Sequence, residues 1–552
     1  MKKDSNILIG WASKGKTSMS ASLDSKCEFI QLSKKHHNAV NRRRRIVVQY
    51  DAHSDLVVDF DEWIAYRFHY VDEPGSQIDS IWWDIGAGRW AVYPSEILER
   101  FEHPGLLRWW GQGIDWVQRL LGESRKRGLE VFWNHRVSEV DIRATDTGLD
   151  MKDINPVKKT HPDWVIKTWW WQGLWNLAVP EVREYQLGIL RELAEKYELD
   201  GMQLDFARHI PCLPLGRQWE LRDHVTEFVR MVRMMLIDIE NKRGKPFLLS
   251  VKVPKNLAGC HADGFDVETW SRQNLVDIFT LGSRSMNVDV AGFRRITAGR
   301  NIKLQPCLDD HHATDGYRFP PIELFRGIFG NWWQQGADSV VTFNWSNASP
   351  EVCEKYSILW GSKLYNLGPI SQGQAYHEVG SPETIAYRDK FFAVERRGGY
   401  PWAEGFFGRN DDAPLPAMLA NDGKPTALNM LICDNIRAIS DRVKQVIIRA
   451  ILFGANEGDK FDVQFNGVSI PLEIQDYLWK DPQIFSPGSQ PISGGDGRYP
   501  VNPEQKLLRL DFAVSSGLCH LGENQVSLSI VDRVPYVCTD IFLEKFEIHV
   551  IF

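Results

Sequence analysis

Asp205 closes the apolar run DGMQLDF (200–206), and Asp309 and Asp310 close LQPCLDD (304–310). A carboxylate at the far end of a buried run is costly unless it is paired or used. Arg208, three residues past Asp205, offers a partner, so an ion pair that ties a loop is the plain alternative to catalysis. Two facing carboxyl groups suit one chemistry above others, the cleavage of a glycosidic bond. One acid protonates the leaving oxygen while the other attacks the anomeric carbon or activates a water. The proton donor needs a raised pKa, which burial among aromatic rings or a neighbouring carboxylate supplies. Asp205 and Asp309 are the expected catalytic pair, with Asp310 and Asp84 as alternatives for the second acid.

The elements that must carry these acids come next. From about residue 45 to 369, short β-rich runs alternate with helical periods, the pattern of a parallel sheet covered by helices. Eight strand candidates stand out: 46–51, 80–85, 129–134, 200–206, 247–253, 276–281, 302–308 and 338–344. They are continuously apolar, as strands buried on both faces are. Helices are expected over 181–197, opened by Pro180, and from 222 to about 241, stopped by Arg243–Gly244. The fold class is α/β, a (β/α)₈ TIM barrel followed by a C-terminal all-β sandwich. Residues 1–40 read as a leader or extension, 41–370 as the barrel and 371–552 as the sandwich, with 487–500 a long loop inside it.

In such a barrel the C-terminal strand ends converge on one face. That face gathers Asp51, Asp84, Asn134, His135, Asp205, Lys252, Asp309, Asp310 and Asn344. Asp84, Trp83, Asn134, His135, Arg208, Lys252, Asp310, Asn344, Trp345 and Trp170 are expected to contact substrate. For Lys252 a structural salt bridge is an equal reading, and for Asn134, His135 and Asn344 loop packing is. The chain has 22 Trp, several in runs at 82–83, 109–110, 169–171 and 332–333. An indole is a flat apolar face with one donor, suited to stacking on a sugar ring. Core packing accounts for about half of them, but three consecutive Trp at 169–171 cannot all face one core.

Composition narrows the partners. A net charge of −7 argues against nucleic acid, and the basic run 42–45 reads as a solvated strand start. No stretch reaches transmembrane length, so no membrane partner is expected. The eight Cys are scattered without metal spacing and read as reduced, buried thiols. No cofactor and no metal are expected. The N-terminal apolar run is short for a signal, so a periplasmic or secreted location is an expectation beside a cytoplasmic one. Oligomeric state is not legible.

DGMQLDFARHIP resembles the fourth-strand signature of the family 10-like glycosyl hydrolase group. IWWDIGAG, LLSVKVP, VETWSRQNLVDIF and GADSVVTFNW extend that resemblance over roughly 45–370. It implies a sugar-active barrel whose strand-four acid is Asp205. Relatives often carry Glu where this chain has Asp309. Strand four is also similar to that of the α-amylase superfamily, but Gln203 replaces its Arg and LLSVKVP lacks its Glu, so that likeness reflects shared barrel logic. Two rivals remain: a non-catalytic carbohydrate-binding barrel, and a metal-dependent hydrolase using Asp51, His53, Asp309 and His311. The missing His-x-His after strand one weighs against the latter.

Overall fold

The structure, a computed structural model, describes residues 29–51, 59–84, 90–138, 143–145, 148–150, 155–168, 172–309, 316–317, 320–345, 370–397, 412–481, 483–484, 504–537 and 539–552. Eight strands close a barrel: β1 (Ile46–Asp51), β2 (Ile78–Asp84), β3 (Glu130–Arg136), β4 (Gly201–Asp205), β5 (Leu248–Val253), β6 (Ile278–Leu281), β7 (Lys303–Asp309) and β8 (Val340–Phe343). Each pairs in parallel with its neighbour in sequence, and β8 returns to β1. Parallel pairing requires a crossover after every strand. Helices α2 (Phe60–Asp72), α3 (Trp116–Lys126), α4 (Pro180–Lys196), α5 (Arg222–Arg243), α6 (Val267–Arg272), α7 (Val290–Ile296) and α8 (Ile322–Gln334) lie on the crossovers between successive strands, α9 (Ile370–Glu378) follows β8, and α1 (Lys34–Val40) precedes β1. All eight strands overlap the runs read from sequence, as do α4 and α5.

Two-residue alternation decides which side chains enter the barrel. On β2, Trp82 points inward and stacks on Phe132 of β3, ring centroids 4.4 Å apart. Gly201 of β4 has no side chain for the same reason: an added Cβ would sit 2.3 Å from the Phe132 ring. Above these rings the interior is polar. Gln203 donates to Ser250 (3.1 Å) and Thr280 (2.6 Å), and Gln305 donates to Thr280 (2.8 Å) and accepts from Ser339 (3.0 Å). Strands four to eight are thus cross-linked beneath the rim by amides and hydroxyls, which fixes their relative height. The outward strand faces pack against the helices in the large apolar core.

The barrel is longer at both ends than its expected limits of 41 and 370. Helix α1 seals the base: Val40 joins the interior cluster of Val47, Trp82 and Phe132, and His36 is buried. The run 42–45 belongs to this base, where buried Arg44 pairs with Glu130 at 2.6 Å and Arg45 with Asp79 at 2.9 Å. Its reading as a solvated strand start fails for these two residues. Helix α9 is the eighth barrel helix. Its Tyr376 stacks on Tyr70 (5.3 Å), packs edge-on against Trp345 (5.8 Å) and meets the Thr342 hydroxyl at 3.0 Å.

Beyond it, two antiparallel sheets form the sandwich. One holds β9 (Lys390–Ala393), β16 (Phe542–Ile551), β11 (Gln445–Phe453), β14 (Leu507–Ala513) and β13 (Leu472–Trp479) in that order; the other runs β10 (Thr426–Ile432), β15 (Gly522–Asp532), β12 (Lys460–Phe465). Asn466 and Gly467, both with positive φ (50° and 81°), turn the chain after β12 as the Asn–Gly pair predicts. The sandwich docks on the barrel rim. Lys255, two residues past β5, meets Glu395 at 3.4 Å and Asp412 at 2.6 Å. Glu395 also accepts from the Met286 backbone N–H (3.1 Å), and Tyr317 donates to Glu547 (2.7 Å). Five cysteines are described and free, four of them buried. Among the described residues no helix is long and apolar enough to cross a membrane.

Candidate active site

Asp205 ends β4 with its side chain inside the barrel mouth, 0% exposed. The chain turns immediately after it, so one carboxylate oxygen accepts the backbone N–H groups of Ala207 (3.1 Å) and Arg208 (3.0 Å). That fork fixes the carboxylate plane. The other oxygen has no hydrogen-bond partner. Lys252, the register partner of Asp205 on β5, stands 3.8 Å from it. Lys252 is itself buried, donating to Gln49 at 3.4 Å and lying 4.3 Å from the centre of the Phe343 ring. Arg208 meets Asp205 through its backbone, and its guanidinium lies 5.7 Å from the same Phe343 ring. A tight Asp205–Arg208 side-chain pair is therefore not what holds the loop.

Asp309 ends β7, 1% exposed, with Arg284 Nε 3.7 Å from its carboxylate. Its backbone is pinned on both sides, donating to Ser283 O at 2.8 Å and accepting from the Trp345 indole at 3.3 Å. Cys307, two residues earlier on the same face, lies among these groups. Burial pushes its thiol up to about 12, against the opposite pull of Lys252. It stays a neutral thiol. Asn134 and Arg136 on β3 also have the inward parity; both are buried, and Arg136 is in register with Asp205. Asp205, Asp309, Lys252 and Asn134 are thus carried on inward positions of one rim, with Asn344 just beyond β8 in a left-handed conformation.

Three expected substrate contacts face elsewhere. Trp83 points outward from β2 into the helix layer, 5.6 Å from the Trp63 ring and 5.9 Å from Tyr50. His135 is the outward residue between Asn134 and Arg136, and its ring bonds Gln186 of α4 at 2.6 Å. Trp345 is buried under α8 and α9, 4.7 Å from Phe325. In each case strand alternation or the helix layer claims the ring. The Trp runs follow suit, with Trp82, Trp109 and Trp332 buried in the core as well. Trp170, Asp310, His53, His311 and the side chains of Asp51 and Asp84 lie outside the described residues. Among the described residues no group of three or more His, Cys, Asp or Glu converges as a metal set would.

Four residues were missed by the sequence reading. Arg136 was hidden by the choice of Asn134–His135 as the end of β3. Arg284 follows β6, a strand end with no acid to attract notice. Gln49 lies two residues before the end of β1, and Phe343 ends β8 with an apolar ring. Lys255 and Arg284 also line a small cavity of about 20 Å³ with Ala207, Ile210, Pro254 and Ser283. It has room for a water and not for a sugar ring.

Residues 71–212 match the model of the family described as Glycosyl hydrolase-like 10. The match runs from before β2 through β4 and takes in Asp205 and Arg208, so the resemblance read from DGMQLDFARHIP is borne out. The fold is a (β/α)₈ barrel with a C-terminal β-sandwich, and the matched part of that barrel is similar to a glycosyl hydrolase-like family. No curated protein matches the chain. Among solved structures, it is similar to α-L-fucosidase isoenzyme 2 from Paenibacillus thiaminolyticus, with 15% identity and a TM-score of 0.41 over 64% of this chain and 51% of that one. The chain thus spans about half the length of that enzyme. It is also similar to the PgaB (BpsB) glycoside hydrolase domain from Bordetella bronchiseptica, with 10% identity and a TM-score of 0.38 over 58% of this chain and 99% of that one. A third likeness is the GH27 β-L-arabinopyranosidase from Geobacillus stearothermophilus, at 10% identity and a TM-score of 0.36, covering 91% and 99% of the two chains.

Proposed function

We propose that this protein hydrolyses O-glycosidic bonds of a poly- or oligosaccharide at the barrel rim, with Asp205 and Asp309 as its two carboxyl groups. The observation that carries the reading is the state of Asp205. It is a fully buried strand-end carboxylate, oriented by two backbone N–H groups, with its second oxygen lacking a hydrogen bond. That oxygen is the atom for attack on an anomeric carbon or for activation of a water. Lys252 stabilises the charge without capping the oxygen at contact distance. Asp309 is the partner that donates a proton to the leaving oxygen. Asn134 and Arg208 are the substrate-hydroxyl contacts of this reading. The family match over 71–212 supports the same class of activity.

The test is a screen of polysaccharides and aryl glycosides, read by product chromatography. Turnover of at least one substrate is expected, with Asp205→Asn and Asp309→Asn each lowering kcat by about 10²–10⁴-fold, the usual worth of a positioned acid or base. Full activity in Asp205→Asn sinks the assignment.

A further inference from the structure

The Trp runs pointed to saccharide surfaces, and the proposed site absorbs none of the described ones. Among the described Trp of those runs, Trp110 lines a cavity, and that cavity is on the outer flank of the barrel. It measures about 450 Å³, enough for one or two sugar rings, and its walls include Tyr93, Ser95, Arg100, Trp110, Ile114 and Asp115. The Tyr93 ring meets Trp133 edge-on at 6.1 Å, and Trp133 is an outward residue of β3. The barrel wall therefore separates this cavity from Asp205.

The segment that builds it is stiffly held. Glu192 of α4 accepts from the Tyr93 hydroxyl (3.0 Å), the Ser95 hydroxyl (2.6 Å) and the Glu96 backbone N–H (2.5 Å). Lys196 donates to the Pro94 carbonyl (2.7 Å), and Trp90–Ala91 pairs with Glu99–Arg100 to close the excursion. On the far wall Asp115 caps α3 and takes the Tyr197 hydroxyl at 2.8 Å. The concavity is preformed, which lowers the entropy cost of binding. Its chemistry is mixed: the partly exposed indole of Trp110 and the Ile114 side chain offer apolar contact. The Arg100 guanidinium lies over the Trp110 ring, 5.5 Å from its centre, and Asp115 adds a carboxylate. An aromatic platform flanked by a guanidinium and a carboxylate is what the C–H face and vicinal hydroxyls of a pyranose require.

We propose that this flank cavity is a second, non-catalytic saccharide-binding site centred on Trp110, which keeps a glycan chain on the enzyme while the rim acts on it. The site rests on the reading of the protein as sugar-active but not on turnover at Asp205. It is tested by native affinity electrophoresis in gels containing laminarin, xyloglucan, mannan, pullulan, pectin or partly acetylated chitosan. The proteins compared are the full chain, Asp205→Asn, Trp110→Ala and the surface variant Arg100→Ala. In at least one gel the full chain and Asp205→Asn are retarded alike. Trp110→Ala binds about tenfold more weakly there, the loss expected for one aromatic stacking partner, and Arg100→Ala weakens binding less. Arg100→Ala decides the matter if Trp110→Ala does not fold. Retardation unchanged in both variants, or absent for the full chain in every gel, overturns the proposal. Trp110-dependent retardation by a protein that turns over no glycoside leaves the flank site standing and removes the hydrolase.

Discussion

At the base of the barrel Asp277, just before β6, accepts from His36 (2.9 Å), Arg233 (2.9 Å) and the Leu249 backbone N–H (2.8 Å), while at the rim, among the described residues, Lys252 stands 3.8 Å from Asp205 and Arg284 3.7 Å from Asp309. Both ends bury carboxylates almost completely. At the base His36 also reaches Glu240 at 2.6 Å, so helix α1, helix α5 and strand β6 are joined through one imidazole. The base has closed its acid to contact, with both Asp277 oxygens hydrogen-bonded, as groups with only folding to serve do. The rim holds its acids in place through backbone and keeps an Asp205 oxygen short of a hydrogen bond. A buried polar group left in that state lowers stability and is tolerated where it acts on something else.

The largest expected effect is at the base. Asp277→Ala leaves His36 and Arg233 facing each other without their shared acid. Removing one partner of a buried pair costs about 3–5 kcal/mol. Urea unfolding followed by circular dichroism should show a loss of that size. A loss below about 1 kcal/mol breaks the comparison from the structural side.

The same cluster predicts a pH dependence. Burial alone lowers the His36 pKa, but Asp277 and Glu240 outweigh it and lift the imidazole from 6.5 to about 9. Burial likewise opposes ionisation of Asp277, and Arg233 and His36 overcome it, holding that carboxyl well below its usual range. A group whose folded pKa is raised contributes fully below its unfolded value. His36 therefore stabilises the fold below about pH 6.5, and that contribution disappears as pH rises through about 9. Asp277 acts oppositely, contributing above the ordinary carboxylate range and losing its share on acidification. The Tm of the full chain should fall between pH 7 and 9.5, and His36→Gln should flatten that decline. Parallel curves for the two proteins would show that the ion cluster at the base is not what titrates.

The contrast between base and rim also explains what the sequence disclosed. Eight runs such as IVVQYD and FLLSVKV are apolar on both faces, and burial on both faces leaves little choice but a parallel barrel strand. Asp205 and Asp309 were legible because an acid ending such a run breaks its pattern. Trp83 and His135 were misassigned because a strand end was treated as a point, when one residue of shift turns a side chain to the opposite face. Phase was available from Gly201, whose missing side chain makes room for Phe132 and so marks the inward face of β4. Lys255 and Glu395 escaped notice for another reason. Their pairing joins the barrel to the sandwich across 140 residues, and no local pattern encodes it. In the sandwich, β13 is an edge strand with most of its residues exposed, so it lacks the alternation that reveals its neighbours.

The smallest expected change is the sharpest test of the rim. In Asp205→Asn the side-chain oxygen can still accept from Ala207 and Arg208, so the turn after β4 is kept. The variant loses attraction to Lys252 at 3.8 Å, a distance beyond a hydrogen bond, and sheds the cost of a desolvated charge. Lys252 retains Gln49 at 3.4 Å and the Phe343 ring at 4.3 Å. These opposing contributions should leave stability within about 1 kcal/mol of the full chain, in either direction, as for a surface-like change. Denaturant midpoints of the two proteins measure this directly. A loss of several kcal/mol would make Asp205–Lys252 a structural pair of the same kind as Asp277–Arg233, and the rim would then have no acid set aside for a substrate.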